Sequence, residues 1–119
     1  MSFYWVNGEF LLFDAVKISP LDHGLVTGDG LFEVLAGYHG EAFAVTRHIE
    51  RLKKTASSFF IPTDSLDRID WHKAMRELLK KNKLDSGLAR IRVTGTTGGD
   101  DLGSDRGNKE LFVMIAAGP

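Results

Sequence analysis

The sequence lacks cysteine altogether and contains only three prolines among its 119 residues. Without cysteine, a disulfide framework, a thiolate metal site and thiol catalysis are all excluded. Basic and acidic residues almost balance, at 15 against 16, so the chain has no cationic excess of the kind that attracts nucleic acid. We therefore expect no nucleic-acid partner.

Long hydrophobic runs are missing as well. The longest apolar stretch, residues 111–117, is far too short to cross a bilayer, and the N-terminus has neither the basic region nor the apolar region of a secretory signal. These absences predict a cytoplasmic protein with no membrane partner. The remaining composition, 43% hydrophobic and 26% charged residues, is typical of one globular domain.

Short β-branched and aromatic stretches predict three pairs of strands. Asn7-Gly8 between residues 3–6 and 9–13 is a strong hairpin signal, and His39-Gly40 separates a second pair over residues 31–37 and 41–45. The third pair covers residues 88–94 and 110–117, on either side of a glycine-rich loop over residues 95–108. The last strand is apolar enough to predict burial on both faces.

Helical periodicity predicts two helices between the second and third strand pairs. The first runs from an N-cap at Thr46 to about residue 60, and the second covers residues 66–82. The order ββ–ββ–αα–ββ predicts an α+β fold, in which two helices pack on a largely antiparallel sheet.

Three basic side chains share one side of the first predicted helix near its start. These are Arg47, His48 and Arg51. A helix N-terminus attracts anions, and the planar fork of arginine matches a phosphate group. An oxyanion site is therefore one interpretation. The other is a solvent-exposed face on which Glu50 pairs with these cations.

Glu33 stands among apolar neighbours on a predicted strand and leaves two interpretations open. A carboxylate that points inward needs a partner, which His48 or Arg51 would supply. A carboxylate on the open face of the strand needs none.

Two familiar motifs are not satisfied. Gly28-Asp29-Gly30 precedes a strand rather than a helix, which predicts a tight turn instead of a dinucleotide-binding loop. Ser19, Asp22 and His23 are neighbours in one loop without a G-x-S-x-G elbow, which disfavours a hydrolase triad. The four histidines do not have the spacing of metal ligands, so no metal site is predicted.

Three ordered segments resemble a known family. They are Ile18-Ser19-Pro20-Leu21-Asp22-His23-Gly24, Gly28-Asp29-Gly30-Leu31-Phe32-Glu33-Val34 and His48-Ile49-Glu50-Arg51-Leu52. In this order and spacing they resemble the class IV (fold-type IV) pyridoxal-phosphate enzymes. That family includes branched-chain aminotransferases, D-amino-acid aminotransferases and aminodeoxychorismate lyases. The likeness runs from about residue 6 to residue 119 and implies the small N-terminal domain of that fold.

The resemblance implies a cofactor site and an assembly. Arg51 matches the residue that binds the phosphate of pyridoxal 5'-phosphate, and Glu33 and His48 match a polar network beside it. The substrate implied is an amino acid or an amino-chorismate, and the assembly implied is a homodimer.

The resemblance also implies residues that contact the substrate. Phe32 matches an aromatic position that lines the substrate pocket. Arg90 and Arg92 lie on a strand that contributes pocket residues in relatives, which makes them candidates for binding a substrate carboxylate.

The sequence departs from relatives in the glycine-rich loop. Thr94-Gly95-Thr96 stands where several relatives have T-R-G, and Gly98-Gly99-Asp100-Asp101 stands where D-amino-acid aminotransferases carry basic residues. These differences argue against D-amino-acid specificity. The loop is more similar to that of the lyase branch.

The family's Schiff-base lysine belongs to a second, C-terminal domain, and no lysine here stands in the matching context: Lys17, Lys53, Lys54, Lys73, Lys80, Lys81, Lys83 and Lys109. We therefore expect residues 1–119 to be the N-terminal small domain of a two-domain enzyme and to be inactive alone. The complete enzyme would be a branched-chain-like aminotransferase, or alternatively an aminodeoxychorismate lyase.

A non-catalytic α+β association module is the alternative from another class. Aromatic residues crowd the first hairpin, and an aromatic surface often marks an interface. They are Phe3, Tyr4, Trp5, Phe10 and Phe13.

Overall fold

The computed structural model describes residues 2–103 and 110–119. The strands are β1 (Phe3–Val6), β2 (Glu9–Leu12), β3 (Leu31–Tyr38), β4 (Glu41–Ala42), β5 (Leu88–Thr96) and β6 (Phe112–Gly118). The helices are α1 (His23–Val26), α2 (Val45–Ser58), α3 (Asp64–Asp67) and α4 (Trp71–Lys81), and a 3-10 turn covers Phe13–Ala15.

The described strands form one sheet in the order β2-β1-β6-β5-β3-β4, with every pairing antiparallel. The first hairpin turns as predicted, because Asn7 and Gly8 both have positive φ, at 49° and 105°. Two longer helices pack against one face of the sheet. The α+β fold with a largely antiparallel sheet is therefore confirmed.

Side-chain alternation decides which face of the sheet is covered. On β3, Leu31 and Leu35 are buried against the helices, whereas Phe32 and Val34 point to the open face. The helices complete the core with Val45, Ile49, Leu52 and Ala56 from α2 and with Ala74, Met75, Leu78 and Leu79 from α4. Full burial of a leucine side chain contributes about 1.5–3 kcal/mol, so this interface dominates the stability of the fold.

The start of α2 differs from the prediction. Thr46 is not the N-cap, because the helix already begins at Val45 and its N-cap is Ala44, which has a φ of 55° and no side-chain cap. Val45 is buried, so packing of the first turn against the sheet fixes the helix start in place of a capping side chain. The preceding strand is correspondingly short, and β4 ends at Ala42.

The second predicted helix is two helices. α3 ends at Asp67, and Asp70 begins the next helix by accepting a hydrogen bond at 3.2 Å from the backbone N–H of Lys73. The Trp71 indole donates to the carbonyl of Leu66 at 2.9 Å and joins the two helices. The apolar spacing continues across the break, so periodicity alone cannot reveal it. A single helix over residues 66–82 is therefore wrong.

The last strand is buried on one face only. Val113 and Ile115 are buried, while Phe112 and Met114 are half-buried on the open face. Burial on both faces was therefore wrong, since helices cover a single side of the sheet. The predicted glycine-rich loop begins later than expected because β5 includes Gly95 and Thr96, and residues 104–108 of that loop lie outside the described residues.

The first hairpin gives its aromatic residues mainly to the core. Trp5 is buried, and Phe3 and Phe10 pack partly buried against the same cluster. Phe13 is the exposed member, and its ring lies 6.1 Å from that of Tyr4. The predicted aromatic surface is therefore largely interior. None of the helices in the described part of the chain has the length and apolar character needed to cross a membrane.

Candidate functional site

A charged cluster joins β3 to α2. Arg51 donates from Nε to both carboxylate oxygens of Glu33 at 3.0 Å and from Nη2 to Oε1 at 2.8 Å. His48 Nδ1 lies 2.7 Å from the same Oε1. The structure therefore brings together the three residues assigned to one polar network.

Local geometry explains this meeting. Alternation along β3 turns Glu33 toward α2, and residues three apart on a helix share one side, which aims His48 and Arg51 at the same carboxylate. Glu33 is only 8% exposed. The interpretation of Glu33 as an inward, partnered carboxylate is confirmed.

The alternative interpretation of this helix face, in which Glu50 pairs with the three basic residues, is wrong. Glu50 pairs with Lys53 at 3.4 Å instead of with the three basic residues near the helix start. Arg47 makes no ion pair among residues 2–103 and 110–119. Arg51 lies in the second turn of α2, so an anion bound there depends on the guanidinium rather than on the helix-terminal N–H groups.

Electrostatics favour the ionised form of Glu33. Burial raises the pKa of Glu33, but hydrogen bonds and charge from Arg51 and His48 outweigh burial and bring that pKa below its ordinary value. The same contact raises the pKa of Arg51. Because an ionised carboxylate can only accept, His48 Nδ1 carries the proton in this hydrogen bond.

Arg51 keeps the capacity to bind an anion. Its side chain is 65% exposed, although Nε and Nη2 are directed at Glu33. Its third nitrogen, Nη1, has no hydrogen-bond partner in the part of the chain that the structure describes. Glu33 therefore fixes one edge of the fork, and the other edge remains available for a phosphate.

A second group lies on the open face of the sheet. The guanidinium carbon of Arg92 stands 4.3 Å from the centre of the Phe32 ring, and Arg92 Nε donates to Thr94 Oγ1 at 3.2 Å. Arg90 lies two residues earlier on the same strand face. The structure therefore brings Phe32 and Arg92 together on a surface that no helix covers.

The two groups lie on opposite faces, because Phe32 and Glu33 are consecutive residues of β3. Strand β4 pairs only with Gly37 and Tyr38, so the earlier part of β3 carries no further strand on that side among the described residues.

Sequence reasoning missed the structural role of Asp22 and His23. Both are buried, at 5% and 1% exposed. Asp22 accepts hydrogen bonds from the Gly24 N–H at 2.7 Å and from Thr96 Oγ1 at 2.9 Å. Both residues belong to the first segment of the family resemblance, which was a signal, but the only specific role considered for them was in a hydrolase triad. In the structure they connect the start of α1 to the end of β5 and the residues that follow it.

His23 connects three segments of the chain. Its N–H donates to the Gly98 carbonyl at 2.6 Å, its carbonyl accepts from the Asp29 N–H at 3.0 Å, and its Nδ1 lies 3.3 Å from Thr97 Oγ1. The turn that leads into Phe32 and Glu33 is thereby tied to the loop that follows β5. These contacts orient the site without belonging to it.

Comparison with known proteins gives a consistent result. The family model for amino-transferase class IV matches residues 30–119. A Methanocaldococcus jannaschii protein with the provisional name branched-chain-amino-acid aminotransferase is 39% identical over 103 residues, covering 85% of this chain and 34% of the relative. A Staphylococcus haemolyticus D-alanine aminotransferase is 36% identical, covering 79% of this chain and 33% of the relative.

The likeness extends to the lyase branch and to a solved structure. The aminodeoxychorismate lyase of Bacillus subtilis is 32% identical, with 83% of this chain and 33% of the relative covered. The Escherichia coli branched-chain amino acid aminotransferase superposes with a TM-score of 0.84 and 27% identity, over 99% of this chain and 40% of that chain. The chain spans about a third of the length of these curated relatives. It belongs to the amino-transferase class IV family.

Proposed function

We propose that residues 1–119 form the N-terminal small domain of a pyridoxal-phosphate-dependent aminotransferase that acts on amino acids, with branched-chain amino acids as the first choice. The Schiff-base lysine would belong to a further domain, so we expect this chain alone to be inactive. Family membership and the 39% identity to the M. jannaschii protein support the activity. The Arg51–Glu33 pair supports the cofactor.

The single observation that carries the proposal is that Glu33 engages Nε and Nη2 of the Arg51 guanidinium, whereas Nη1 has no hydrogen-bond partner among the described residues. A phosphate monoester needs charged donors that are already oriented, and Glu33 orients Arg51 through one edge of its guanidinium. His48 Nδ1 contacts Oε1 of the same carboxylate at 2.7 Å, which further restricts the Glu33 side chain. These residues fit the phosphate end of pyridoxal phosphate.

The open face of the sheet is suited to bind the substrate. When bound, pyridoxal phosphate supplies the electron sink for bonds that break at the substrate α-carbon. Phe32, which is 56% exposed, would form an apolar wall for the substrate side chain. Arg90 would bind a substrate carboxylate, since it makes no ion pair in the described part of the chain.

A lyase of the same family is the second candidate. The B. subtilis aminodeoxychorismate lyase is 32% identical. The resemblance also implies an arginine in several aminotransferases where this chain has Gly95, within Thr94-Gly95-Thr96. In that case the substrate would be an amino-chorismate. The association module has less support because most of the aromatic residues of the first hairpin belong to the core.

We further propose that the complete protein is a homodimer and that it is located in the cytoplasm. The exposed apolar side chains of the open sheet face, Phe32, Val34, Tyr38 and Leu88, would be covered in that assembly by the rest of the enzyme. The lack of cysteine suits a reducing compartment. Size-exclusion chromatography with light scattering tests the dimer.

The test of the activity uses the complete enzyme. We expect it to bind pyridoxal phosphate and to convert L-leucine in the presence of 2-oxoglutarate faster than it converts D-alanine. Release of pyruvate from aminodeoxychorismate without a 2-oxo acid would establish the lyase instead. Failure to retain pyridoxal phosphate, together with no reaction in any of the three assays, would overturn both candidates.

A further inference from the structure

The side chain of Arg92 contacts two other residues of the sheet, Phe32 and Thr94. Its guanidinium carbon lies 4.3 Å from the centre of the Phe32 ring, which is the geometry of a cation–π contact. Its Nε donates to Thr94 Oγ1 at 3.2 Å. The long side chain is therefore held at two points.

The strand register brings these two side chains within reach of each other. Phe32 lies directly opposite Thr94, and Val34 lies directly opposite Arg92. Arg92 and Phe32 are therefore diagonal neighbours on one face, a separation that only a long side chain can bridge. Thr94, which stands beside the ring, anchors Nε and turns the flat guanidinium toward Phe32.

Arg90 provides an internal comparison. It lies on the same strand and the same face, opposite Ala36 and diagonal to Tyr38. Among the described residues, Arg90 makes no ring contact, hydrogen bond between side chains or ion pair. The two arginines therefore have the same side chain and lie on the same face, but among the described residues only Arg92 is held by contacts with neighbouring side chains.

A ring on an uncovered sheet face has few neighbours to hold its rotamer. Phe32 is 56% exposed, and the helices pack on the other side of the sheet. A cation over the ring face favours one ring orientation electrostatically, and the bond to Thr94 limits how far that cation can move. Arg92 therefore restricts the position of Phe32.

We infer that Arg92 is a positioning residue that sets the orientation of Phe32 and, through it, the size of substrate side chain that the enzyme accepts. Arg92 is then not a direct ligand of the substrate carboxylate, and that role falls to Arg90 alone. The inference rests on the proposed function in one respect, because it requires Phe32 to line the substrate pocket.

The test on the complete enzyme is a double-mutant cycle between Arg92→Met and Phe32→Leu. Methionine keeps an apolar stem and removes the cation. The measured quantity is kcat/KM for L-leucine divided by kcat/KM for L-alanine. We expect Arg92→Met to change this ratio about three- to tenfold, without loss of bound pyridoxal phosphate, and to change it less than about twofold when Phe32 is already leucine.

Two further variants separate positioning from direct binding. Arg92→Lys keeps the charge but loses the planar guanidinium, so we expect an intermediate ratio. Arg90→Met is expected to lower kcat/KM for both amino acids by the same factor and to leave the ratio unchanged. If Arg92→Met lowers both rates equally in both Phe32 backgrounds, Arg92 is a direct carboxylate ligand and the inference is wrong.

A readout without catalysis distinguishes this inference from the proposed function. In the 119-residue chain, the ring current of Phe32 should shift the NMR signal of the Arg92 Nε–H. That signal is assigned by its absence from the spectrum of Arg92→Lys. We expect the shift to disappear in Phe32→Leu and to decrease in Thr94→Val. An unshifted Nε–H overturns the inference whatever the activity. A shifted signal, together with no cofactor binding and no turnover by the complete enzyme, overturns the proposed function and the specificity role, and leaves the contact itself established.

Discussion

Arg51 and Glu33 are 18 residues apart in the sequence and meet in a side-on ion pair, with Arg51 Nε 3.0 Å from both carboxylate oxygens. The carboxylate is buried and the guanidinium is largely exposed. This asymmetry decides what the pair does. The buried partner fixes the geometry, and the exposed partner remains accessible to a ligand.

Replacement of Arg51 should weaken cofactor retention. In the complete enzyme, we expect Arg51→Ala to raise the Kd for pyridoxal phosphate about 10- to 100-fold, because a charged hydrogen bond to phosphate contributes about 1.5–3 kcal/mol. Arg47→Ala is the matched control, since Arg47 lies on the same helix outside the cluster. Bound cofactor is measured by absorbance after dialysis. Equal retention in the two variants would contradict the assignment of Arg51 as the phosphate anchor.

The ion pair should make stability depend on pH. The pKa of Glu33 is lower in the folded chain than the ordinary value of 4.5, so the folded state favours the ionised form. Its stabilising contribution is therefore present above pH 4.5 and is lost as the pH falls through the lower folded pKa. Glu33→Gln should be less stable than the wild type at about pH 7, and the difference should shrink by about pH 3.

Urea unfolding at both pH values measures this difference in free energy. Glu50→Gln is the control, because Glu50 is exposed and its only ion pair among the described residues is with Lys53. We expect little change in that variant at either pH. A constant difference between Glu33→Gln and wild type across the range would show that the ionisation of Glu33 does not contribute to folding.

Gly99 should tolerate no side chain. Its φ is +142°, and a Cβ there would lie 2.5 Å from the Leu21 carbonyl oxygen and 2.7 Å from His23 Cδ2. We expect Gly99→Ala to lower the free energy of unfolding by about 2–3 kcal/mol, since both the backbone and the contact are strained.

Gly98 is the matched neighbour for that experiment. It also has positive φ, at +68°, but nothing lies within 4 Å of a Cβ at that position. Gly98→Ala should therefore cost only the left-handed backbone penalty, about 1 kcal/mol. Urea unfolding of both variants checks the order, and equal effects would mean that the loop does not pack on His23 as described.

Phe60 should be replaceable by glycine with a gain in stability. It lies two residues after the end of α2, directly after the C-cap Phe59, with a φ of 60°, a conformation that favours glycine, and its side chain is 91% exposed. We expect Phe60→Gly to raise the free energy of unfolding of the 119-residue chain by about 1 kcal/mol. Lys54→Gly, in the middle of the same helix, should lower it by about 1 kcal/mol. Thermal unfolding compares the two variants, and a loss in Phe60→Gly would indicate that the ring packs against another group.

The helix boundaries show where sequence patterns stop being sufficient. The apolar spacing of α2 and α4 was predicted correctly because it records which side of each helix is buried. The start at Val45 and the break before Asp70 were not predicted. The first depends on burial of Val45 against the sheet, and the second on an aspartate cap inside a continuous apolar pattern.

The candidate site, too, was predicted only in part from the sequence. The residues of the cluster were named from the sequence, and their positions on a strand and a helix made a meeting plausible. The sequence left open whether Glu33 faced inward, and Arg92 was treated as equivalent to Arg90. The side-chain contacts of the folded chain separate the two arginines: each lies diagonal to an aromatic residue across the β3–β5 ladder, but among the described residues only Arg92 stands over the ring.

By itself the sequence determined the turn of the first hairpin, the apolar faces of the two longer helices, the α+β class and the family resemblance, because these follow from local spacing and motif order. The tertiary structure decided which polar groups meet. The Glu33–Arg51 pair spans 18 positions and the contacts from Asp22 to Thr96 and from His23 to Thr97 span 74. The reason is physical: periodicity is a property of neighbouring residues, whereas the partner of a buried polar group is chosen by whatever the packed core brings within hydrogen-bonding distance.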